Sequence, residues 1–334
     1  MNIYDIAGMA GVSIATVSRV VNGSDKVSET TRQKVLNVID KAGYTPNVFA
    51  QGLGLNTMHT VGILVPDISD IYMSSAVFYL EGCLHKYGYD CILSCSGFET
   101  KQKEQHIHML LDKHIDALIL VGSTYAGSGR DHAKTDYIRD AAEKVPVFII
   151  NGAVEGKNIY SSVCDDRRAV YVVTRKLIGK GRRHILFLTD SHSYSSNEKM
   201  AGYEKALNDE GLPVEGNLKI HVKNDIHYVR DLLLKSEAIC FDSVICTNDS
   251  IAVGVVKFAK ERGLSIPRKM DIVGYNNSVL AVSCEPEISS IDNHTSEICD
   301  GTIENVISVL QGDSNVRKHF TVPCTLVKRS TTDF

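Results

Sequence analysis

The 334-residue sequence lacks the marks of several large protein classes. No apolar run approaches the roughly 20 residues that span a bilayer, so no membrane partner is expected. The opening MNIYDIAGMA has neither the basic nor the apolar segment of a secretory signal, and a cytoplasmic location is expected. Nine cysteines, odd in number and without a CxxC pair, fit free thiols in a reducing compartment rather than a disulfide framework. Cys91 and Cys95 share one face of a strand and read as core residues. The twelve histidines form no HExxH, and His106 and His108, two apart, face different ways on a helix. Gly122, Gly127 and Gly129 lack both the GK pair of a phosphate-binding loop and the GxGxxG spacing, and read as an ordinary loop. No catalytic residue, metal or cofactor is expected, and the chain does not read as an enzyme.

What is present is ordinary globular composition, 43% hydrophobic and 23% charged, in a chain long enough for two or three folded units. Net charge is −4, which does not by itself suggest a nucleic-acid binder. The first sixty residues nevertheless carry one more basic than acidic side chain, so the acidic excess lies entirely in the rest.

Those sixty residues read as three short helices. Asn2 caps the first with Asp5 as its capping-box partner, and Gly11 ends it. Ser13 caps a second helix whose Val17, Val20 and Val21 repeat at helical spacing, closed by Gly23. Ser28 caps a third, with Val35, Val38 and Ile39 as its apolar stripe, ended by Gly43. From Thr60 the period changes. Apolar runs at 61–65, 91–95, 117–121, 147–150, 185–188, 218–222, 243–246 and 271–274 alternate with amphipathic segments, the rhythm of doubly wound parallel α/β sheets. Eight strands exceed one comfortable sheet, so two similar lobes are expected. A helix at 296–310 and a final strand at 320–327 complete them.

Tyr4–Asn22 has the makings of a helix-turn-helix: a glycine in the turn, small residues where helices cross, and polar side chains at the start of the second helix. The stretch IYDIAGMAGVSIATVSRVVNGSDKVSETTRQKVLNVIDKAGYTPNVFAQGL resembles the head and hinge of the LacI/GalR family of bacterial transcription regulators. The likeness continues through VGILVPDISDIY, DALILVGS, GRRHILFLTD, MAGYEKAL, CTNDSIAVGV, DIVGYNN and LVKRSTT, over essentially the whole chain. The resemblance implies an all-α head at residues 1–45, a hinge helix and linker at 46–59, and a periplasmic-binding-protein-like α/β core at 60–334. Lobe 1 is expected at about 60–160 plus 291–318, and lobe 2 at about 161–290 plus 319–330.

The resemblance also implies roles. Ile14, Ala15 and Arg19 occupy base-reading positions; Arg19 has the two-donor fork that fits guanine, and Ile14 can pack on a thymine methyl. Ser13, Thr16, Ser18, Asn22, Ser28, Thr31 and Asn47 match phosphate-holding positions. Leu53 matches the minor-groove wedge, in a hinge where Gly52 and Gly54 each cost about 1 kcal/mol of helix and Gln51 replaces a frequent arginine. In the cleft, Asp70, Tyr72, Asn151, Lys199, Asn248, Asn276 and Asn293 match effector positions, with Ile71 beside them. Lys199 stands for a usual arginine and Asn276 for a usual aspartate, which together suggest an anionic ligand, a sugar phosphate or sugar acid. The expected whole is a homodimeric repressor of a palindromic double-stranded operator, controlled by a small carbohydrate-type effector. The head is also similar to the catabolite-control branch, whose co-regulator is a phosphorylated carrier protein. A stand-alone sugar-binding protein is the remaining alternative.

Overall fold

Asn2 opens the head: its side-chain oxygen accepts from the Tyr4 and Asp5 N–H groups at 2.9 and 3.1 Å, and Asp5 accepts from the Asn2 N–H at 2.9 Å. This reciprocal cap starts Ile3–Ala10 (α1). Gly11, at φ 59°, ends it in the left-handed region where a side chain is strained. Ser13 and Ser28 cap Ile14–Val21 (α2) and Glu29–Ala42 (α3). The three helices bury Ile6, Ala10, Val17, Val20 and Val35 between them. The computed structural model describes residues 1–44, 57–128, 133–236, 239–313 and 315–334. The expected hinge, including Asn47, Gln51, Gly52, Leu53 and Gly54, lies outside the described residues, as does Gly129.

Beyond the head, Thr60–Val65 (β1), Ile71–Lys86 (α4), Asp90–Cys95 (β2), Thr100–Leu111 (α5), Ala117–Val121 (β3), Asp136–Ala142 (α6), Val147–Ile150 (β4) and Ile159–Cys164 (β5) alternate. The second lobe repeats the rhythm with Asp166–Gly179 (α7), Ile185–Thr189 (β6), Tyr194–Asp209 (α8), Lys219–His221 (β7), Ile226–Lys235 (α9) and Ser243–Cys246 (β8). It continues with Asp249–Glu261 (α10), Asp271–Tyr275 (β9), Val279–Ser283 (α11) and Ser289–Asp292 (β10). The chain then returns through Thr295–Leu310 (α12) and His319–Val322 (β11) to lobe 1, and ends in Thr325–Val327 (β12) of lobe 2.

The strand orders are β11-β5-β4-β3-β1-β2 and β12-β10-β9-β8-β6-β7, two copies of one plan. All pairings are parallel except β10 with β12. Side-chain alternation covers both faces of each sheet. Ile63 and Ile119 pack under α4 and α12, whereas Leu64 and Leu118 pack under α5 and α6. In both lobes the chain reverses winding direction, between β1 and β3 and between β6 and β8. Such switch points leave a crevice at the carboxyl ends of the strands.

Four sequence expectations are corrected here. The strands β5 and β10 were not foreseen, because IYSSVC and SSID are too polar to read as buried runs. The expected single strand at 320–327 is two strands in different sheets, separated at Pro323, so 319–322 belongs to lobe 1 rather than lobe 2. Residues 161–164 likewise belong to lobe 1 and 291–292 to lobe 2, which moves the crossings to Asp165, Asn293–His294 and Pro323–Cys324. Cys95 is exposed rather than core, because β2 is an edge strand.

Helices α7 and α8 approach so closely at Gly202 that a Cβ there would overlap the Arg167 carbonyl oxygen. Backbone cannot swing aside as a side-chain tip can. Gly202→Ala should therefore cost at least about 2 kcal/mol in denaturant unfolding, while the equally helical Gly179→Ala, with open space around it, should not destabilise.

Candidate functional site

Helix α2 presents two different faces. Val17 and Val20 point into the head's core, while Ile14, Ala15 and Arg19 are exposed together on the opposite side. Ile14 is 40% exposed, an apolar side chain left at the surface of the helix that also exposes Arg19. Ser13 and Ser28 spend their oxygens on caps, accepting from Thr16 N–H at 3.2 Å and Thr31 N–H at 3.4 Å. Each also shares a 2.9 Å hydroxyl contact with the same threonine. Ser18 is half-buried, and Asn22 closes α2 with its side-chain oxygen buried.

The second site is a cleft of about 800 Å³ between the lobes, walled by the loops after β1, β2, β3 and β4 on one side and after β6, β7, β8 and β9 on the other. Six of the seven expected effector residues line it: Asp70, Tyr72, Asn151, Lys199, Asn248 and Asn276, together with Ile71. Asn293 does not. It is 1% exposed and stands behind the wall, its Nδ2 donating to Asn276 Oδ1 at 3.1 Å.

Each lining residue is held by its element. Asp70 caps α4, accepting from the Met73 N–H at 3.0 Å, and its other oxygen accepts from Asn224 Nδ2 of lobe 2 at 3.3 Å. Partial burial pushes its carboxyl upward; the Met73 N–H opposes this, and the charge of Asp190 adds to it. Tyr72 Oη accepts from Asn151 Nδ2 at 2.5 Å, and burial drives its phenol well above the usual range. Asn248 caps α10 and donates to Asp190 at 2.9 Å. Lys199, 6% exposed, sets its ammonium 3.6 Å from the Tyr275 ring centroid and 3.3 Å from the Thr247 carbonyl.

Sequence reading passed over Asp190, at the carboxyl end of β6, and the hydroxyl cluster Ser123, Ser191, Ser193 and Ser196. The strand-end rule that picked Asp70 and Asn248 applies equally to Asp190. The sequence reading sets the Lys199 cation against a neutral Asn276, with no carboxylate opposing it at that position, and the cleft holds further charges around them. Asp67, Asp70, Asp190 and Asp225 all line it, and Lys199 is engaged by an aromatic face and a carbonyl. Lys223 lines the cleft together with these four aspartates.

A helix-turn-helix head with a two-lobed α/β core and a cleft between the lobes is the architecture of a DNA-binding regulator. Residues 2–47 match the model of bacterial regulatory proteins of the lacI family, and residues 174–332 match the periplasmic binding protein-like domain. The chain is similar to an HTH-type transcriptional regulator of Lachnoclostridium phytofermentans, 45% identical over 337 residues and covering 100% of both chains. It is also similar to catabolite control protein A of Priestia megaterium, 32% identical over 87% of both. The lac repressor dimer bound to operator and the anti-inducer ONPF shares the fold, with a TM-score of 0.87 at 23% identity, covering 99% of this chain and 98% of that one. The chain belongs to the lacI family of bacterial regulatory proteins. It is a transcriptional regulator, and the chains it resembles are regulators rather than enzymes. No helix among the described residues is long and apolar enough to cross a membrane.

Asp70 offers a pH test. Its carboxyl holds a proton more tightly folded than unfolded, so stability falls as pH rises from the ordinary value of 3.8 through the raised one. Asp70→Asn keeps a capping oxygen and removes the titration. Across mildly acidic pH its melting temperature should gain on the wild type as pH rises; a constant difference would show that Asp70 titrates normally.

Proposed function

We propose that the chain binds a pseudo-palindromic operator as a homodimer, represses transcription there, and is switched by a neutral oligosaccharide seated between its lobes. The observation that carries the DNA half is the exposed triad Ile14, Ala15 and Arg19 on a helix whose other face is core. Arg19 reads guanine and Ile14 packs on a thymine methyl. Ser13, Thr16, Ser28 and Thr31 sit in the first turns of α2 and α3, where N–H groups also favour phosphate, while Ser18 within α2 and Asn22 at its carboxyl end offer side-chain donors alone. Asn47 as a further phosphate contact and Leu53 as the wedge complete the proposal from the family resemblance.

Homodimerisation is supported by apolar side chains left at the surface of both lobes. Phe78 and Tyr79 of α4 are 74% and 41% exposed, and Val279 and Val282 of α11 are 61% and 49% exposed. Tyr79 and Val279 line one groove, so the two lobes present these residues on a shared face. Covering such a face is what a second copy would do.

The effector half follows from the wall chemistry. Hydroxyls, amides and carboxylates that accept from sugar O–H groups alternate with rings from Tyr72 and Phe98 on which a pyranose can lie. At about 800 Å³ the cleft is near the upper end of ordinary ligand sites, room for more than one sugar ring. The phosphorylated carrier protein as co-regulator rests on the similarity to catabolite control protein A alone.

Arg19→Ala should relax base preference at one position per half-site by about 1–3 kcal/mol, leaving a steep salt dependence carried by phosphate contacts. Equal loss on every sequence would make Arg19 a backbone contact. Calorimetry should give neutral disaccharides at least about tenfold tighter binding than sugar phosphates or sugar acids, a gap of about 1.4 kcal/mol. Tighter binding of an anion that Lys199→Met abolishes would restore the anionic reading. No sugar binding, with operator affinity raised by the phosphorylated carrier, would move control to the protein partner.

A further inference from the structure

Two thiols meet where the lobes are joined. Cys164 is the last residue of β5, immediately before the first crossing, and its register partner on β11 is Val322. Cys324 lies two residues beyond Val322, in the third crossing, and packs against the cluster that contains Cys164. Side chains alternate along a strand, so Cys324, two residues past Val322, falls on the same face as Cys164 and packs into the same cluster, and each thiol influences the acidity of the other.

Their surroundings differ. Cys164 is buried, its thiol 3.2 Å from Asn151 Oδ1 and 3.4 Å from the Asn293 carbonyl of the second crossing. Cys324 is half-exposed and forms part of a separate small cavity of about 110 Å³, whose wall also carries Asp165 and Arg168. The Tyr275 hydroxyl lies 3.5 Å from its sulfur. One thiol is thus reachable by a small oxidant and the other waits behind it, shielded from competing reagents.

We propose that Cys164 and Cys324 are a peroxide-responsive modification site that closes to a disulfide across the inter-lobe crossings. Cys324 lines the small cavity while Cys164 is buried behind it, so Cys324 is the attacking sulfur, and the neighbouring Cys164 thiol holds its thiol below the usual cysteine range. Its thiolate attacks one oxygen of hydrogen peroxide; an S–O bond forms, the O–O bond breaks, and hydroxide departs to be protonated to water. The Cys164 sulfur then attacks the resulting sulfenic acid. The S–S bond forms, the S–O bond breaks, and the leaving hydroxide takes the Cys164 proton as a second water. Two thiols and one peroxide become one disulfide and two waters. The bond ties the end of β5 to the third crossing and restrains two of the three segments about which the lobes can turn.

The test uses the full chain with the exposed Cys95 and Cys240 replaced by serine, treated with hydrogen peroxide and mapped by non-reducing peptide mass spectrometry. The expected result is a peptide joining Cys164 to Cys324, loss of two free thiols, and reversal by dithiothreitol. Hydrogen exchange of the crossing amides at Asp165 and His294 should slow in the oxidised protein by about fivefold or more, as for a linked local opening. Cys324→Ser should abolish the reaction. Cys164→Ser should stop at a sulfenic acid on Cys324 that dimedone traps. Oxidation scattered over the other cysteines, or Cys324 oxidised without the cross-link when Cys164 is present, would overturn the proposal. Neither outcome bears on sugar or operator binding, because both readouts are taken without ligand or DNA.

Discussion

The Asp166 carboxylate, 3% exposed at the first inter-lobe crossing, holds the rest of the core in place. Its two oxygens accept from Tyr275 Oη at 2.5 Å and Ser195 Oγ at 2.6 Å. A carboxylate buried this deeply is tolerable only when hydrogen-bonded, and removing either donor leaves an uncompensated charge. The partners are not local. Tyr275 ends β9 and Ser195 begins α8, so one side chain binds the start of α7 to a strand and to a helix that both face the cleft. Lys199, one turn along α8 from Ser195, rests on the ring of the same tyrosine. Cleft wall and crossing are therefore parts of one buried polar cluster.

That arrangement gives the cleft its character. Parallel strands deliver their carboxyl ends to one side, and the loops that follow bring hydroxyls, amides and carboxylates together. Several bonds already run from lobe to lobe. Ser123 donates to Ser193 at 2.8 Å, Asn197 to the Ser128 carbonyl at 3.1 Å, and Asn224 to Asp70 at 3.3 Å. Each is a polar contact that a polyhydroxylated ligand can replace in kind, which is how occupancy between two lobes acquires a differential effect on their relative position.

The head works by separation of faces. Valines that repeat at helical spacing settle α2 against α1 and α3, and serine caps hold its start, so the exposed Ile14, Ala15 and Arg19 are presented on a rigid support. Ser13 and Ser28, which resembled phosphate contacts, are first of all caps. The two roles are compatible, because a cap leaves the hydroxyl at the helix N-terminus where anions are favoured.

Local chemistry determined most of this by itself. Caps, glycine ends and the 3.6-residue valine spacing place the three head helices, and runs such as ALILV or VFII must be buried strands whatever surrounds them. Strand ends in turn point to Asp70, Asn151 and Asn248. Tertiary structure alone decided the rest. IYSSVC and SSID become strands because neighbouring strands supply hydrogen-bond partners, and nothing in their own polarity demands it. HFTVPCTLV divides between two sheets because the chain crosses at Pro323, an event with no local signature. Lys199 looked like a free cation in sequence. Only the folded packing shows Tyr275 beneath it and Asp190 nearby, because electrostatics depends on distances between residues far apart in the chain.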